Sequence, residues 1–78
     1  MKIESKLKNI FSNVLNVPIE EISNTTSPNN CSSWDSFNML NLVIAIEDKF
    51  SIKLEIEEAV TIKSFKDALS LVESKTSQ

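Results

Sequence analysis

The chain has 78 residues with a formal net charge of −3, one cysteine, and neither histidine nor glycine. The missing histidine removes the commonest general base and zinc ligand, and the missing glycine excludes glycine-rich phosphate loops, dinucleotide-binding fingerprints and EF-hand loops. A domain this small without either residue type is a poor candidate for an enzyme, so we expect no catalytic and no metal-binding residues.

Apolar residues recur at three- and four-residue spacing over residues 2–15, which predicts a first helix there. Its inner face is expected to contain Ile3, Leu7, Ile10, Phe11 and Val14. Asn16 is the predicted left-handed stop, and Pro18 prevents easy continuation of the helix. Residues 18–23 can form one further helical turn.

Residues 23–33 form a polar segment that is long for a loop in a compact domain. Ordered loops of this length are usually functional or wrapped over the core. Cys31 is the one apolar member and is expected to be buried as a small hydrophobe. Trp34 follows, and we predict that it packs the loop onto the helices with its indole N–H at the surface.

The second predicted helix covers residues 36–50, and its N-cap is either Asp35 or Ser36. Four residues at helical spacing define one apolar face: Met39, Val43, Ile46 and Phe50. Four more widen the apolar arc: Phe37, Leu40, Leu42 and Ile44. A helix that is apolar on most sides is expected to be central to its bundle.

Ile52 and Leu54 alternate as in a strand, but no second strand is available, so we predict an extended loop that inserts both side chains into the core. One or two helical turns follow at 56–61, and a last helix begins at Ser64 with capping-box spacing to Asp67. A frayed tail is expected over about 74–78. The predicted fold is all-α: one domain, 1–78, forming a small four-helix bundle with three main helices, a short third helix and a long loop between helices 1 and 2.

The negative charge is concentrated in the middle of the chain, because residues 35–58 contain six acids and two lysines. This distribution argues against nucleic acid and anionic membrane as partners and fits a protein partner with a basic patch. The start of the chain has no apolar signal segment, the apolar run 42–46 is too short to span a bilayer, and a lone cysteine fits a reducing compartment. We therefore expect a cytoplasmic monomer.

Ser36 is the residue with the most chemical interest, and the residues alone leave two interpretations open. It could be only a helix cap. It could also be a modified residue, because a helix N-terminus favours a phosphate group. It cannot act as a nucleophile by itself, since no histidine is present to activate its hydroxyl.

Short motifs occur in a fixed order along the chain: VLNVPIEEI at 14–22, DSF at 35–37, IEDKF at 46–50, EEA at 57–59 and IKSF at 62–65. With this ordered set, the chain resembles the acyl carrier proteins over nearly its whole length.

The resemblance implies that Ser36 carries 4′-phosphopantetheine, which holds an acyl or aminoacyl cargo as a thioester, and that Asp35 helps to present this site. It implies three kinds of partner: a phosphopantetheinyl transferase, a loading enzyme, and an acyl-transferring or synthase enzyme. The implied partner contacts are Phe37, Asn38, Asn41, Glu47, Asp48, Glu57 and Glu58, the last four forming an acidic face.

Asn38 and Asn41 occupy positions where the resembling carriers of bulk fatty-acid synthesis have acids, so the resemblance favours a specialised pathway. The alternative is an unmodified acidic helical adaptor that binds a basic protein. The two hypotheses differ in what Ser36→Ala would do: it abolishes a carrier but leaves an adaptor unaffected.

Overall fold

The structure, a computed structural model, describes residues 3–76. This range contains four α-helices, α1 (Ile3–Leu15), α2 (Ser36–Phe50), α3 (Ile56–Ala59) and α4 (Phe65–Thr76), together with a single 3₁₀ turn at Ile19–Glu21 and no strand. The predicted all-α fold is therefore confirmed. No helix within residues 3–76 has the length and apolar character needed to cross a membrane.

Helix α1 follows its apolar spacing closely. Leu7, Ile10 and Phe11 are buried, and Leu15 is buried more deeply than the predicted Val14. Asn16 adopts φ 58°, so the left-handed stop is confirmed. The helix was predicted from residue 2, and that first residue lies outside the described part of the chain.

Helix α2 is apolar on most sides, as the sequence shows, but part of its apolar arc is exposed. Only Leu42 and Ile46 are buried, whereas Phe37, Leu40 and Ile44 are exposed. Helix α3, which lines a groove with α2, is only four residues long.

The end of α2 is closed by a left-handed residue, Ser51, with φ 56°. The backbone N–H groups of Ser51 and Ile52 both donate to the Glu47 carbonyl. The chain then runs extended to α3, with Leu54 buried and Ile52 half-buried, and this confirms the predicted loop. The αL conformation costs a residue with a Cβ some free energy, and this chain has no glycine for the position.

Helix α4 starts as predicted, because the Ser64 hydroxyl accepts the Asp67 N–H at 3.2 Å. The reciprocal bond of a capping box is absent there, since the Asp67 carboxylate accepts the Lys63 N–H at 3.1 Å instead. The helix continues to Thr76, although a frayed tail was predicted from about residue 74. Lys75 in this last turn forms an ion pair with Glu58 at 2.9 Å. Residues 77–78 of the predicted tail lie outside the described range.

The bundle is centred on Phe11 of α1. Its ring makes edge-to-face contacts with Trp34 (centroids 5.2 Å apart) and with Phe65 (5.0 Å). The long loop is also attached to α4, because the Phe65 N–H donates to the Thr26 carbonyl at 2.8 Å. The loop is therefore fastened at its middle to α4 and at its end to the core, which fixes the chain immediately before α2.

Candidate functional site

Asp35, rather than Ser36, caps helix α2. The Asp35 carboxylate accepts the Asn38 backbone N–H at 2.8 Å, and the Asp35 carbonyl accepts the Met39 N–H at 2.8 Å. Ser36 is the first helical residue, it is exposed, and no hydrogen bond to its hydroxyl occurs within residues 3–76. The structure thus separates two roles that the sequence had left open, since the cap needs Asp35 and leaves the Ser36 hydroxyl available.

Trp34, which precedes the site, is buried in the core. Its side chain is only 3% exposed, and its indole N–H donates to the Met39 sulfur at 3.3 Å. Packing of the loop onto the helices is as expected, but the predicted surface position of the N–H is wrong. The thioether of Met39, one turn into α2, gives this buried donor a partner, so the indole does not need water.

Asn38 and Asn41, expected as partner contacts, have bonds within the chain. The Asn38 amide donates to the Ser33 carbonyl at 2.8 Å, and the Asn41 amide donates to the Asn38 side-chain oxygen at 3.1 Å. Both residues are half-buried. Asn38 therefore connects the first turn of α2 to the loop, a role that the known tendency of Asn to bond nearby backbone could have suggested.

Two neighbouring cavities lie along α2, and one of them is lined by Ser36. One of about 350 Å³ is lined by Pro28, Trp34, Asp35, Ser36, Met39, Ala59, Val60 and Ile62. A second of about 230 Å³, between α2 and α3, is lined by Met39, Leu40, Val43, Leu54, Ile56, Ala59 and Val60. Met39, Ala59 and Val60 belong to both linings. Sequence reasoning missed these cavities because they depend on how α3 packs against α2.

The four expected surface acids do not form one free face. Glu47 is half-buried, and its carboxylate accepts the Leu54 backbone N–H at 2.8 Å. Asp48 is exposed but lies on the α1 side, where it shares a groove with Lys6. Glu57 is the exposed acid of α3.

Glu58, the fourth acid, has two bonding partners. It accepts the Glu55 N–H at 2.9 Å and pairs with Lys75. The bond from Glu55, followed by the bond from Lys75, lowers the pKa of the Glu58 carboxyl from its ordinary value of 4.5. Glu47 and Glu58 therefore make bonds within the fold, and Asp48 of α2 and Glu57 of α3 are the exposed acids of the four.

Cys31 is half-buried against the core, with its sulfur 3.4 Å from the Ser33 hydroxyl oxygen. It belongs to a polar cavity of the loop that also includes Thr26 and Ser33. Ser36 is not part of that lining, so the cysteine lies apart from the candidate site.

An exposed hydroxyl on the first turn of a helix suits a phosphate ester, because the N-terminal N–H groups and the helix dipole favour negative charge. The adjoining cavity offers room for a further group, and its lining is mainly apolar. The residues around Ser36 therefore fit a phosphate-linked arm, and they include no histidine that could activate the hydroxyl.

Comparison with known proteins agrees with this geometry. A family model described as the phosphopantetheine attachment site matches residues 5–72. The acyl carrier protein of Buchnera aphidicola is 32% identical over 73 residues, which cover 94% of this chain and 92% of that protein. The chain belongs to the acyl carrier protein family.

Other members of this family extend the comparison. The acyl carrier protein of Nitratidesulfovibrio vulgaris is 31% identical over 75 residues, covering 96% of this chain and 99% of that protein. The solution structure of the holo acyl carrier protein from Geobacter metallireducens superimposes with a TM-score of 0.86 at 28% identity, covering 99% of this chain and 88% of that one.

Acyl carrier proteins bear a phosphopantetheine arm and carry acyl groups for other enzymes, and they are not catalysts themselves. The chain is an acyl carrier protein with a phosphopantetheine arm.

Proposed function

We propose that Ser36 is the residue that carries 4′-phosphopantetheine. The observation that supports this most directly is the position of its hydroxyl, which is exposed on the first turn of α2 while the neighbouring Asp35 provides the cap. Twelve serines occur in the chain. Ser36 combines exposure, a helix N-terminus and an adjoining cavity of about 350 Å³.

The residues around Ser36 position the hydroxyl and leave its activation to another protein. Asp35 fixes the first turn, and Trp34 holds the preceding loop on the core. A phosphopantetheinyl transferase would supply the base: the Ser36 Oγ–P bond forms, the diphosphate P–O bond of coenzyme A breaks, adenosine 3′,5′-diphosphate leaves, and the transferase accepts the hydroxyl proton. Once attached, the arm supplies a thiol that carries an acyl or aminoacyl group as a thioester.

We also propose that this carrier serves a specialised pathway, with a dedicated loading enzyme and an acceptor or synthase enzyme as further partners. Its support is the lack of charge on the first three turns of α2, where Asn38 and Asn41 bond within the chain. A cytoplasmic location is compatible with the single cysteine. Identifying the cargo on the protein isolated from its own cell tests the proposed pathway. A mixture of ordinary long-chain fatty acyl groups would contradict a specialised pathway.

The test of Ser36 is direct. The chain is incubated with coenzyme A, Mg²⁺ and a phosphopantetheinyl transferase of broad specificity, and its intact mass is measured. We expect one phosphopantetheine adduct on the wild type and on Ser32→Ala, a matched change at another exposed serine, and none on Ser36→Ala. An adduct that persists in Ser36→Ala contradicts the proposal. No adduct on any variant, with partner binding indifferent to Ser36→Ala, favours the adaptor alternative.

A further inference from the structure

A groove of about 290 Å³ lies between helix α1 and the last turns of α2. We call it the α1/α2 groove, and its lining consists of Lys6, Asn9, Ile10, Asn13, Ala45, Asp48 and Lys49. The two apolar members, Ile10 and Ala45, are buried and half-buried, whereas all five polar members are exposed. The groove therefore has an apolar base and a polar rim.

The polar rim of the α1/α2 groove is unpaired within residues 3–76. None of its five side chains takes part in a hydrogen bond or an ion pair there. Other polar side chains of α2 differ in this respect, because the amides of Asn38 and Asn41 donate within the chain. The rim groups are therefore available to a ligand without breaking a bond of the fold.

The α1/α2 groove is basic on an acidic chain. Lys6 and Lys49 contribute +2 and Asp48 contributes −1, so the groove carries +1, whereas the whole chain carries −3. This charge favours a ligand that bears carboxylates. A nucleic acid is a poor fit, because two cations neutralise few phosphates and the Asp48 carboxylate repels them.

The amides of the rim suit a polypeptide. Asn9 and Asn13 are four residues apart, so they are neighbours on one face of α1. An Asn side chain both donates and accepts hydrogen bonds, as a peptide group does. The short Ala45 side chain leaves space over the apolar base for a small apolar side chain of the ligand. These features together fit a short acidic segment that contains a small apolar residue.

The α1/α2 groove is remote from Ser36. Asp48 follows Ser36 by twelve residues in one helix, which corresponds to about 18 Å along the helix axis. The groove also shares no lining residue with the cavity beside Ser36. A segment bound in the groove would therefore leave the Ser36 hydroxyl accessible.

We propose that the α1/α2 groove binds an acidic peptide segment of a partner protein, and that this contact keeps the carrier beside the partner while Ser36 remains accessible to enzymes. Carboxylates of the segment contact Lys6 and Lys49, and its backbone contacts the amides of Asn9 and Asn13. Such a tether raises the effective concentration of the carrier at its enzymes. The tethering role rests on the proposed function of Ser36, whereas the binding itself does not.

A second copy of this chain is a less favourable occupant. Its exposed segment Glu55, Ile56 and Glu57 is acidic, but two chains that each carry −3 repel one another. The groove and this segment are also different surfaces, so their contact would be head-to-tail and would continue into an open assembly. A partner protein with an acidic segment has neither disadvantage.

The experiment titrates the ¹⁵N-labelled chain with a short capped peptide of alternating glutamate and alanine, and a peptide of alternating glutamine and alanine is the uncharged control. Lys6→Ala and Lys49→Ala test the groove. Lys66→Ala is the matched control, because Lys66 is an exposed lysine outside the groove. Asp48→Asn and its control Glu57→Gln test the sign of the charge effect. Thermal unfolding verifies that each variant is folded.

We expect saturable amide shifts at the groove residues with the acidic peptide and none with the uncharged one. Lys6→Ala and Lys49→Ala should each raise Kd by about threefold, the scale of an exposed ion pair, and Lys66→Ala should leave it unchanged. Asp48→Asn should lower Kd by about twofold, unlike Glu57→Gln. Absence of saturable shifts in the groove overturns the proposal, as does an effect of Lys66→Ala equal to that of the groove lysines.

Two further measurements separate this inference from the proposed function. The peptide should bind Ser36→Ala as tightly as the wild type, and a saturating amount should change the rate of phosphopantetheine transfer to Ser36 by less than about twofold. A larger decrease in that rate contradicts the tethering role. An adduct on Ser36 without groove shifts keeps the proposed function and rejects this inference. Groove shifts that depend on the concentration of the chain alone would identify a second copy as the occupant and overturn the proposed partner.

Discussion

The Glu47 carboxylate accepts a hydrogen bond from the Leu54 backbone N–H at 2.8 Å. The same residue accepts two N–H groups with its carbonyl, at the end of α2. One residue therefore holds the helix end and the following loop together, and it places Leu54 in the core. In the sequence, Glu47 resembles a surface contact for a partner. In the fold, it instead holds the end of α2 and the following loop together.

Replacing Glu47 should consequently destabilise the chain more than replacing its neighbour. We expect Glu47→Ala to lower the free energy of unfolding by about 1–3 kcal/mol, because it leaves the Leu54 N–H without its charged acceptor. Asp48→Ala, at an exposed position, should cost less than about 0.5 kcal/mol. Urea unfolding measures both, and faster hydrogen exchange at the Leu54 amide localises the effect. Equal losses for the two variants would contradict this role.

Asp35 caps the helix and Ser36 does not, so replacing Asp35 should affect stability, whereas replacing Ser36 should affect modification. Asp35→Ala should cost about 1 kcal/mol through loss of the N-cap. Ser36→Ala should change stability by less than about 0.5 kcal/mol, because its hydroxyl has no partner within residues 3–76. Thermal unfolding of the unmodified variants tests this, and a larger loss for Ser36→Ala would return the capping role to that residue.

Trp34 is the only tryptophan, so its fluorescence reports directly on the site. Trp34→Phe should lower stability by about 1–2 kcal/mol, since it loses the bond to Met39 and part of the packing on Phe11. Trp34→Ala should cost about 3–5 kcal/mol, close to the whole stability of a small domain. Phe37→Ala is the matched aromatic control, with an expected change below about 0.5 kcal/mol because Phe37 is exposed.

Ser51 offers a stabilising change. It adopts φ 56° with a Cβ, so Ser51→Gly should raise the free energy of unfolding by up to about 1 kcal/mol. Asn16→Gly, at φ 58°, should gain less, because Asn tolerates this conformation better than Ser. Denaturant midpoints compare the two variants, and a loss of stability in Ser51→Gly would show that the serine makes a compensating contribution.

Acid should weaken the contact between α3 and α4 through Glu58. The Glu55 N–H and the Lys75 ammonium lower the pKa of Glu58 in the folded chain, so the carboxylate form is stabilised there. Its contribution is complete above the ordinary value of 4.5 and is lost as the pH falls through the lowered folded pKa.

Thermal unfolding from about pH 7 to pH 3 tests this linkage. The difference in melting temperature between the wild type and Glu58→Gln should shrink over the acid end of that range. Glu57→Gln, the exposed neighbour, should show no comparable change. A difference between wild type and Glu58→Gln that is independent of pH would exclude the linkage.

Local patterns in the sequence were sufficient to predict the main helices and where they begin or end. Three- and four-residue apolar spacing located α1 and α2, Asn16 marked a left-handed stop, and Ser64 marked the start of α4, because these signals act within one helical turn. The ordered motifs around Ser36 also indicated the family, which the comparisons confirm. A hydroxyl at a helix N-terminus was visible in the sequence, since it depends only on the position of the helix boundary.

Only the tertiary structure shows which side chains are exposed and which are bonded to distant residues. The sequence shows that Phe37, Leu40 and Ile44 are apolar, but only the fold shows that all three are exposed. Charge shows that Glu47 and Glu58 are acids, but their partners, Leu54 and Lys75, lie 7 and 17 residues away in the sequence. Burial and pairing depend on contacts between distant segments, and a pattern read along one segment carries no information about what packs against it.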